Sequence, residues 1–327
     1  MFFAPAFFGY ENLIKQKYEE LGAEVDFFDE RSVKSAWERA LLKISPSIFS
    51  KKSERYFNRI IDNNLRESYD YILIIKAEMM SAKVLKWLKE KYNNSKLCLY
   101  LYDSIKNIPN ILEKIEIFDI CSSFDRKDCL KHRKLKFRPL FFCDDFKEVS
   151  DINTTCIYDI SFCGTIHSDR YSIISKIESQ CKKFNLNFYS FNYLQSYFIY
   201  YFYKIFNRSF WNAKLNNFSF EKLSQSKIAD IENNSKAVLD IQHPGQNGLT
   251  MRTIELIGLG KKIITTNEDI VNYDFYNDSN ILLINRNNPV INKEFLTKPY
   301  VHLTKSISNK YSLKQWALDV IGLGEFK

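Results

Sequence analysis

Glycine is scarce in this chain, 9 residues in 327, yet four of the nine fall between Gly245 and Gly260. Metal-binding cysteine spacing is missing as well. The seven cysteines are odd in number, scattered from Cys98 to Cys181, and form no Cys-x-x-Cys pair, which argues against a structural zinc. Several, Cys98 and Cys163 among them, sit inside apolar runs, where a thiol behaves as a small core hydrophobe in a reducing compartment. No apolar stretch approaches the ~20 residues that span a bilayer. Met1, Phe2, Phe3, Ala4 and Pro5 do not begin a signal peptide, which needs a basic region, an apolar core and a cleavage site. The expectation is a soluble, cytoplasmic chain, with peripheral contact at the inner face of the membrane left open. No arginine-rich helix, zinc-finger spacing or aromatic RNA-binding signature points to nucleic acid. Solenoid repeats and low-complexity tails are lacking too.

What is present is an ordinary globular composition, 45% hydrophobic and 26% charged, with an unusual 27 Phe and 20 Tyr and a net charge of +8. The charge suits an anionic small molecule or an anionic membrane face, and equally a basic surface that only aids solubility. Short apolar runs alternate with amphipathic ones. Strands are expected at 2–4, 25–28, 71–75, 97–102, 117–122 and 136–140. Helices are expected after Gly9, over about 32–65 with Trp37, Ala40, Leu41 and Ile44 at helical spacing, and over 81–91. A polar connector at about 143–155 predicts a domain boundary at 150/151, so 1–150 and 151–327 form two domains. The alternation restarts with a strand at 157–163, a turn at Gly164 and Thr165, and a helix at 168–182. Strands follow at 186–189, on both sides of the glycine-bearing segment, and at 280–284. A last helix at 312–321 is a candidate to pack back on the first domain. The fold class this implies is α/β, two Rossmann-like domains whose parallel sheets face a central cleft.

Residues 240–267 carry the strongest chemical signal. The apolar run 237–241 breaks at His243, Pro244 and Gly245, Gly248 opens a helix-compatible stretch, and Lys262 to Thr265 read as another buried strand. Strand, glycine turn, helix N-terminus and strand offer backbone N–H groups and a positive dipole end to a phosphate. Arg252 adds a permanent cation one turn into the helix. Glu255, three residues on, can accept hydrogen bonds from sugar hydroxyls. His243, Gln246, Asn247, Leu249 and Thr250 complete the crook. A phosphorylated sugar or nucleotide fits this set, although the glycines could serve a tight turn alone and Arg252 and Glu255 a solvated ion pair.

Gly164, Thr165, His167, Ser168, Asp169 and Arg170 mark a second strand-to-helix turn. Thr165 and Arg170 could hold a diphosphate there with His167 nearby, or Ser168 could simply be an N-cap. In the first domain Glu78 and Asp103 end apolar strands, where a carboxylate could deprotonate an acceptor hydroxyl or merely cap a helix. Gly9 and Tyr10 follow the first strand and are weaker acceptor-side candidates. The aromatic run 193–211, flanked by Lys204 and Arg208, suits a membrane interface or a lipid-linked acceptor, but ordinary core packing is the expected use.

These residues resemble bacterial glycosyltransferases of the two-Rossmann-domain (GT-B) type, nearest to group 1-like enzymes of capsule, lipopolysaccharide or spore-coat glycan synthesis. The resemblance rests on Gly248 to Glu255 with Gly258 to Thr265, and more loosely on Phe162 to Arg170. It is only architectural across the first domain. It implies a nucleoside-diphosphate sugar donor, a glycan or lipid-linked acceptor and no bound cofactor or metal. It also implies Glu255 on the ribose or donor sugar. Where many relatives carry a further glutamate, Asn247 stands here, which leaves the stereochemical outcome open. A convincing Asp-x-Asp loop is lacking, and Asp144-Asp145 in the connector is a poor substitute, consistent with leaving-group stabilisation by dipoles and cations. A nucleotide-sugar epimerase on the same fold and a non-catalytic sugar-binding protein are the alternatives.

Overall fold

The computed structural model describes residues 1–6, 9–32, 50–63, 66–146 and 156–324. Two compact units emerge, Met1–Cys143 with Lys310–Lys327, and Asp144–Asn309. The boundary expected at 150/151, the connector residues 151–155, and Trp37, Ala40, Leu41 and Ile44 lie outside the described residues.

The first unit is a six-stranded sheet of β1 (Phe2–Ala4), β2 (Phe27–Asp29), β3 (Tyr71–Ile75), β4 (Lys96–Leu101), β5 (Ile120–Ser123) and β6 (Lys136–Phe137), in the order β2-β1-β3-β4-β5-β6. Every pairing is parallel. Parallel strands buried on both faces read as unbroken apolar runs, and β3 and β4 do so, with Ile72 to Ile75 and Leu97 to Leu101 all buried. Several strands differ from expectation by a few residues. The second begins at Phe27 and the last stops at Phe137, where Pro139 lacks the N–H that would continue the ladder.

The helix Leu313–Val320 belongs to this first unit. Ser312 caps it by accepting from the Gln315 N–H at 3.2 Å. Its buried face carries Trp316, fully enclosed, with the Tyr100 ring 4.8 Å away edge-on and the Phe141 ring at 4.6 Å. Tyr18 donates to the Ala317 carbonyl at 2.8 Å. Beside them Arg138 Nε lies 2.7 Å from Asp319 Oδ2, both side chains almost wholly buried. The Arg138 guanidinium also donates to the carbonyls of Pro139 and Lys310. Burial lowers its pKa, and Asp319 works against that loss.

The second unit is a five-stranded parallel sheet of β7 (Tyr158–Thr165), β8 (Phe188–Tyr193), β9 (Ser235–Asp240), β10 (Lys262–Thr265) and β11 (Ile281–Leu283), in the order β11-β10-β9-β7-β8. Helices Arg170–Phe184, Gln225–Asn233 and Met251–Gly258 connect the strands. Both units are thus Rossmann-like α/β domains. Two corrections concern the turn after β7. The strand runs on through Gly164 and Thr165 to pair with Asn192 and Tyr193, so the turn comes at 166–169. Asp169, not Ser168, precedes the helix, and its side chain makes no cap; Ser168 instead takes a left-handed φ of 51°.

Leaving Arg138 charged and buried without its partner is the severe case for an ion pair. Asp319→Ala is expected to cost about 3–5 kcal/mol in urea unfolding of the full chain. A loss below about 1 kcal/mol would show that the pair does not secure this helix.

Candidate functional site

A parallel α/β sheet binds ligands at its carboxyl edge, where the strand order reverses and two adjacent loops part. In the second unit this point lies between β7 and β9, because the chain leaves β7 toward β8 and returns on the other side as β9. Both segments singled out in the sequence, 164–170 and 243–255, border it. The structure brings them together: the rings of His167 and His243 are 5.3 Å apart.

Three guanidinium groups converge here. Arg170, the first residue of its helix, donates from Nε to the Ile241 carbonyl at 2.6 Å and from Nη1 to the Thr165 carbonyl at 2.8 Å, tying the two loops. Arg252 donates to the Cys163 carbonyl, and its Nε lies 3.6 Å from Glu232. Arg286, beyond β11, pairs with Asp169 at 3.1 Å and donates to the Gln242 carbonyl. Gly164 leaves room at the strand end, chiefly beside the Phe162 ring. A Cβ there would lie 3.1 Å from the Phe162 ring, 3.4 Å from Arg252 Nη1 and 3.7 Å from Arg170 Nη1.

Burial and mutual repulsion act on this cluster as expected for cations held out of water. Burial is the main reason the Arg170 pKa falls to about 10, with Arg252 and Arg286 adding to it. Burial, then Arg170, His243 and Arg286, lower His167 to about 4, so its imidazole is neutral near pH 7. Burial also opposes the charge on Arg252, but Glu232 and Asp240 outweigh it and hold its pKa up. Glu232 itself is pushed up to about 7 by burial, aided by Glu255 and Asp240.

The crook is built by side-chain bonds to its own backbone. Gly245 N–H donates to His243 Nδ1 at 3.1 Å, Gln246 Nε2 to the Gly248 carbonyl at 3.2 Å, and Asn267 Nδ2 to the Asn247 carbonyl at 3.1 Å. Leu249 is buried. Thr250 caps the helix Met251–Gly258, its hydroxyl accepting from the Thr253 N–H at 3.2 Å. The buried Asp240, at the end of β9, accepts from the Thr253 hydroxyl at 2.5 Å. Glu255 is buried on the next turn, with 9% of its surface exposed. Sequence reasoning missed three members. Arg286 follows a short strand with no motif, Glu232 ends a helix that the sequence reading passed over, and Asp240 was read only as part of an apolar run.

The first unit has its own switch point, between β1 and β3. The structure brings Glu78 and Asp103 to one ammonium there, Lys76 Nζ lying 2.8 Å from Glu78 and 3.6 Å from Asp103. Lys76 and Ala77 both take left-handed backbone angles, φ 76° and 54°, costing on the order of 1–3 kcal/mol each. Buried Lys114 holds that strained turn by donating to the Ala77 carbonyl at 2.8 Å. Gly9, at φ 82°, is the left-handed N-cap of the helix Tyr10–Glu20, and the Tyr10 ring meets Phe141 edge-on at 6.2 Å. Sequence reasoning missed Glu30 as well. Fully buried after β2, it accepts from the Met79 N–H at 2.6 Å, while Oε2 has no hydrogen-bond partner among the described residues. Burial, reinforced by Glu78, raises its pKa to about 8. Cavities of about 330 Å³ beside Met1 and Arg66, and about 300 Å³ beside Lys236 and Lys262, open at the opposite, amino edges of the two sheets and hold none of these groups.

No family model matches the sequence, and no curated protein matches it either. Solved structures do. Anabaena Alr3699/HepE, in complex with UDP and glucose, superposes with a TM-score of 0.59 at 10% identity, covering 98% of this chain and 97% of that one. The N-terminal domain of Candida albicans trehalose-6-phosphate phosphatase gives 0.57 at 9% identity, covering 98% and 87%. A putative UDP-N-acetylglucosamine 2-epimerase from Listeria monocytogenes gives 0.52 at 10% identity, covering 97% and 93%. At such identities the likeness shows the fold, the GT-B layout of two Rossmann-like domains. Among the described residues no cluster of three or more His, Cys, Asp or Glu could hold a metal ion.

The buried Glu30 carboxyl makes a signed prediction. Its folded pKa of about 8 lies above the 4.5 of an ordinary glutamate, so its contribution is complete below about pH 4.5 and is lost as the pH rises through 8. Glu30→Gln, which cannot ionise, should flatten the fall in melting temperature of the wild type between pH 5 and 8. Parallel pH profiles for the two proteins would contradict the assignment.

Proposed function

We propose that this protein is a glycosyltransferase, moving a sugar from a nucleoside-diphosphate sugar to a hydroxyl of a surface glycan or lipid-linked oligosaccharide. One observation carries the reading: Arg170, Arg252 and Arg286 are gathered at the switch point of the second sheet, each already oriented by backbone carbonyls. A guanidinium has five N–H donors, so each keeps donors beyond those its carbonyls take, in a plane already fixed. Such an array stabilises the negative charge that builds on a diphosphate as it leaves a sugar, because preorganised donors need no reorientation during reaction. The helix N-terminus at Thr250 adds its dipole. Support also comes from the fold, shared with a protein solved with UDP and glucose.

In this reading Gly164, Thr165, His167 and the 243–250 crook contact the donor, with Glu255 on the ribose or sugar. Neutral His167 donates or accepts a hydrogen bond without adding charge. Glu78 and Asp103 are the acceptor-side carboxylates. Lys76, shared between them, keeps both near one position, and the one nearer the acceptor hydroxyl takes its proton. The cations do the work a divalent metal does elsewhere, so the reaction is proposed to be metal-independent. A second reading, donor-only epimerisation, is favoured by the fold shared with the putative UDP-N-acetylglucosamine 2-epimerase from Listeria monocytogenes.

The test is incubation with uridine-, guanosine- and thymidine-diphosphate sugars, with and without a lipid-linked glycan acceptor, following released nucleotide and sugar identity. Acceptor-dependent release that survives chelation by EDTA is expected. Glu255→Gln should slow it by roughly two orders of magnitude while remaining folded. Epimerised sugar formed without acceptor would favour the second reading, and no turnover of any donor would overturn both.

A further inference from the structure

Only one side of the aromatic run 193–211 makes the core packing expected from sequence, through Leu194, Tyr200 and Phe210. The run contains the helix Tyr197–Phe206, capped by Ser196, whose inner face is held firmly. Buried Tyr200 donates to the Ala213 carbonyl at 3.0 Å, and the Tyr203 ring packs 4.9 Å from buried Phe210. Lys204 Nζ donates to the carbonyls of Trp211 and Ala213, both at 2.7 Å. The outer face is apolar as well, and it is bare. Phe198 is 77% exposed, Ile205 69% and Phe206 71%, with Tyr201, Phe202 and Trp211 exposed around them. A surface helix ordinarily turns charged or polar residues outward. Here residues at positions 198, 201, 202, 205 and 206, the spacing of one helical stripe, are all hydrophobic.

The charge around the stripe says what covers it. No aspartate or glutamate occurs between Glu178 and Glu221, while Lys204, Arg208 and Lys214 lie in or just after the helix. Arg208 and Lys214 are exposed beside the stripe, with the Arg208 guanidinium 5.9 Å from the Trp211 ring centre. A second copy of the chain set face to face would bring these cations against their own kind, with no acid in the stretch to answer them. Anionic headgroups answer them directly. Aromatic rings settle at the headgroup level, and lysine and arginine reach outward to phosphates.

We infer that the outer face of the helix Tyr197–Phe206, with Trp211, Arg208 and Lys214, docks this protein on an anionic lipid bilayer. The inference stands apart from the sugar-transfer reading, because it needs no donor and no turnover. It does touch that reading at one point. Asn207, which ends the helix, donates to the Ser168 carbonyl at 3.4 Å, so the docking surface is continuous with the loop after β7. An enzyme working on a lipid-linked acceptor would have its carboxyl-edge loops brought close to the headgroups.

The experiment is co-sedimentation of the full chain with phosphatidylcholine vesicles, with and without phosphatidylglycerol, at low and high salt. Binding is expected only with phosphatidylglycerol, weakening as salt rises. Phe198→Ser with Phe206→Ser should weaken partitioning at least tenfold, on the order expected when apolar rings are withdrawn from lipid. Arg208→Gln with Lys214→Gln should weaken it roughly 25-fold, counting about 5-fold for each lost cation. All four side chains are exposed, so circular-dichroism melting should be unchanged. Absence of binding to phosphatidylglycerol vesicles overturns the inference, and so does equal binding by folded variants. Concentration-dependent dimerisation abolished by the Phe198 and Phe206 substitutions would assign the face to a second copy instead.

Discussion

The structure depends on how cations are held at the carboxyl edge of the second sheet. Each guanidinium near the end of a parallel strand donates to a backbone carbonyl there, which orients it. Nearby acids oppose the loss of its charge, Asp240 for Arg170, Glu232 and Asp240 for Arg252, and Asp169 for Arg286. Arg170 spans the carbonyls of Thr165 and Ile241, the two sides of the switch point, so the site and the fold share the same hydrogen bonds. Gly164 has a clear physical task in this arrangement, since a side chain there would crowd the Phe162 ring and approach the guanidiniums. The acids are arranged underneath: Asp240 accepts from Thr253, and Glu232 faces Arg252. On the side of the sheet edge itself, Asp169 pairs with Arg286.

The first unit solves the same problem with the opposite sign. Glu30, buried and with one oxygen unpaired among the described residues, sits beside a turn in which Lys76 and Ala77 are strained. Lys114 and the Met79 N–H fix that turn, and it carries the Lys76–Glu78–Asp103 cluster. Strain at a loop that presents charged groups is the usual mark of a position shaped for something other than stability. The C-terminal helix completes this unit from the far end of the chain, through Trp316 in the core and the Arg138–Asp319 pair at its margin.

How much of this was legible in the sequence follows from the range of each interaction. Buried parallel strands announce themselves as apolar runs, so β3, β4, β9 and β10 and the α/β class could be read directly. The glycine-bearing segment could be read because turn chemistry is local. The continuation of β7 through Gly164 could not, since pairing with Asn192 and Tyr193 decides it and the glycine suggested a turn. Arg286 and Glu232 join the cluster through partners 117 and 20 residues away, Asp169 and Arg252, and neither lies in a motif. Aromatic density over 193–211 was plain, but which rings face outward depends on what the other face packs against. Sequence alone made that segment look like core.

The central claim is that the three arginines form a seat for a diphosphate. Calorimetric titration with a nucleoside diphosphate and with the matching nucleoside, on the wild type and on Arg286→Met, tests it most directly. The account predicts that the wild type binds the diphosphate far more tightly than the nucleoside. It also predicts that Arg286→Met narrows that gap by roughly tenfold or more, as loss of a charge-assisted contact should. Equal affinity for diphosphate and nucleoside, or a folded Arg286→Met that keeps the full gap, would contradict it.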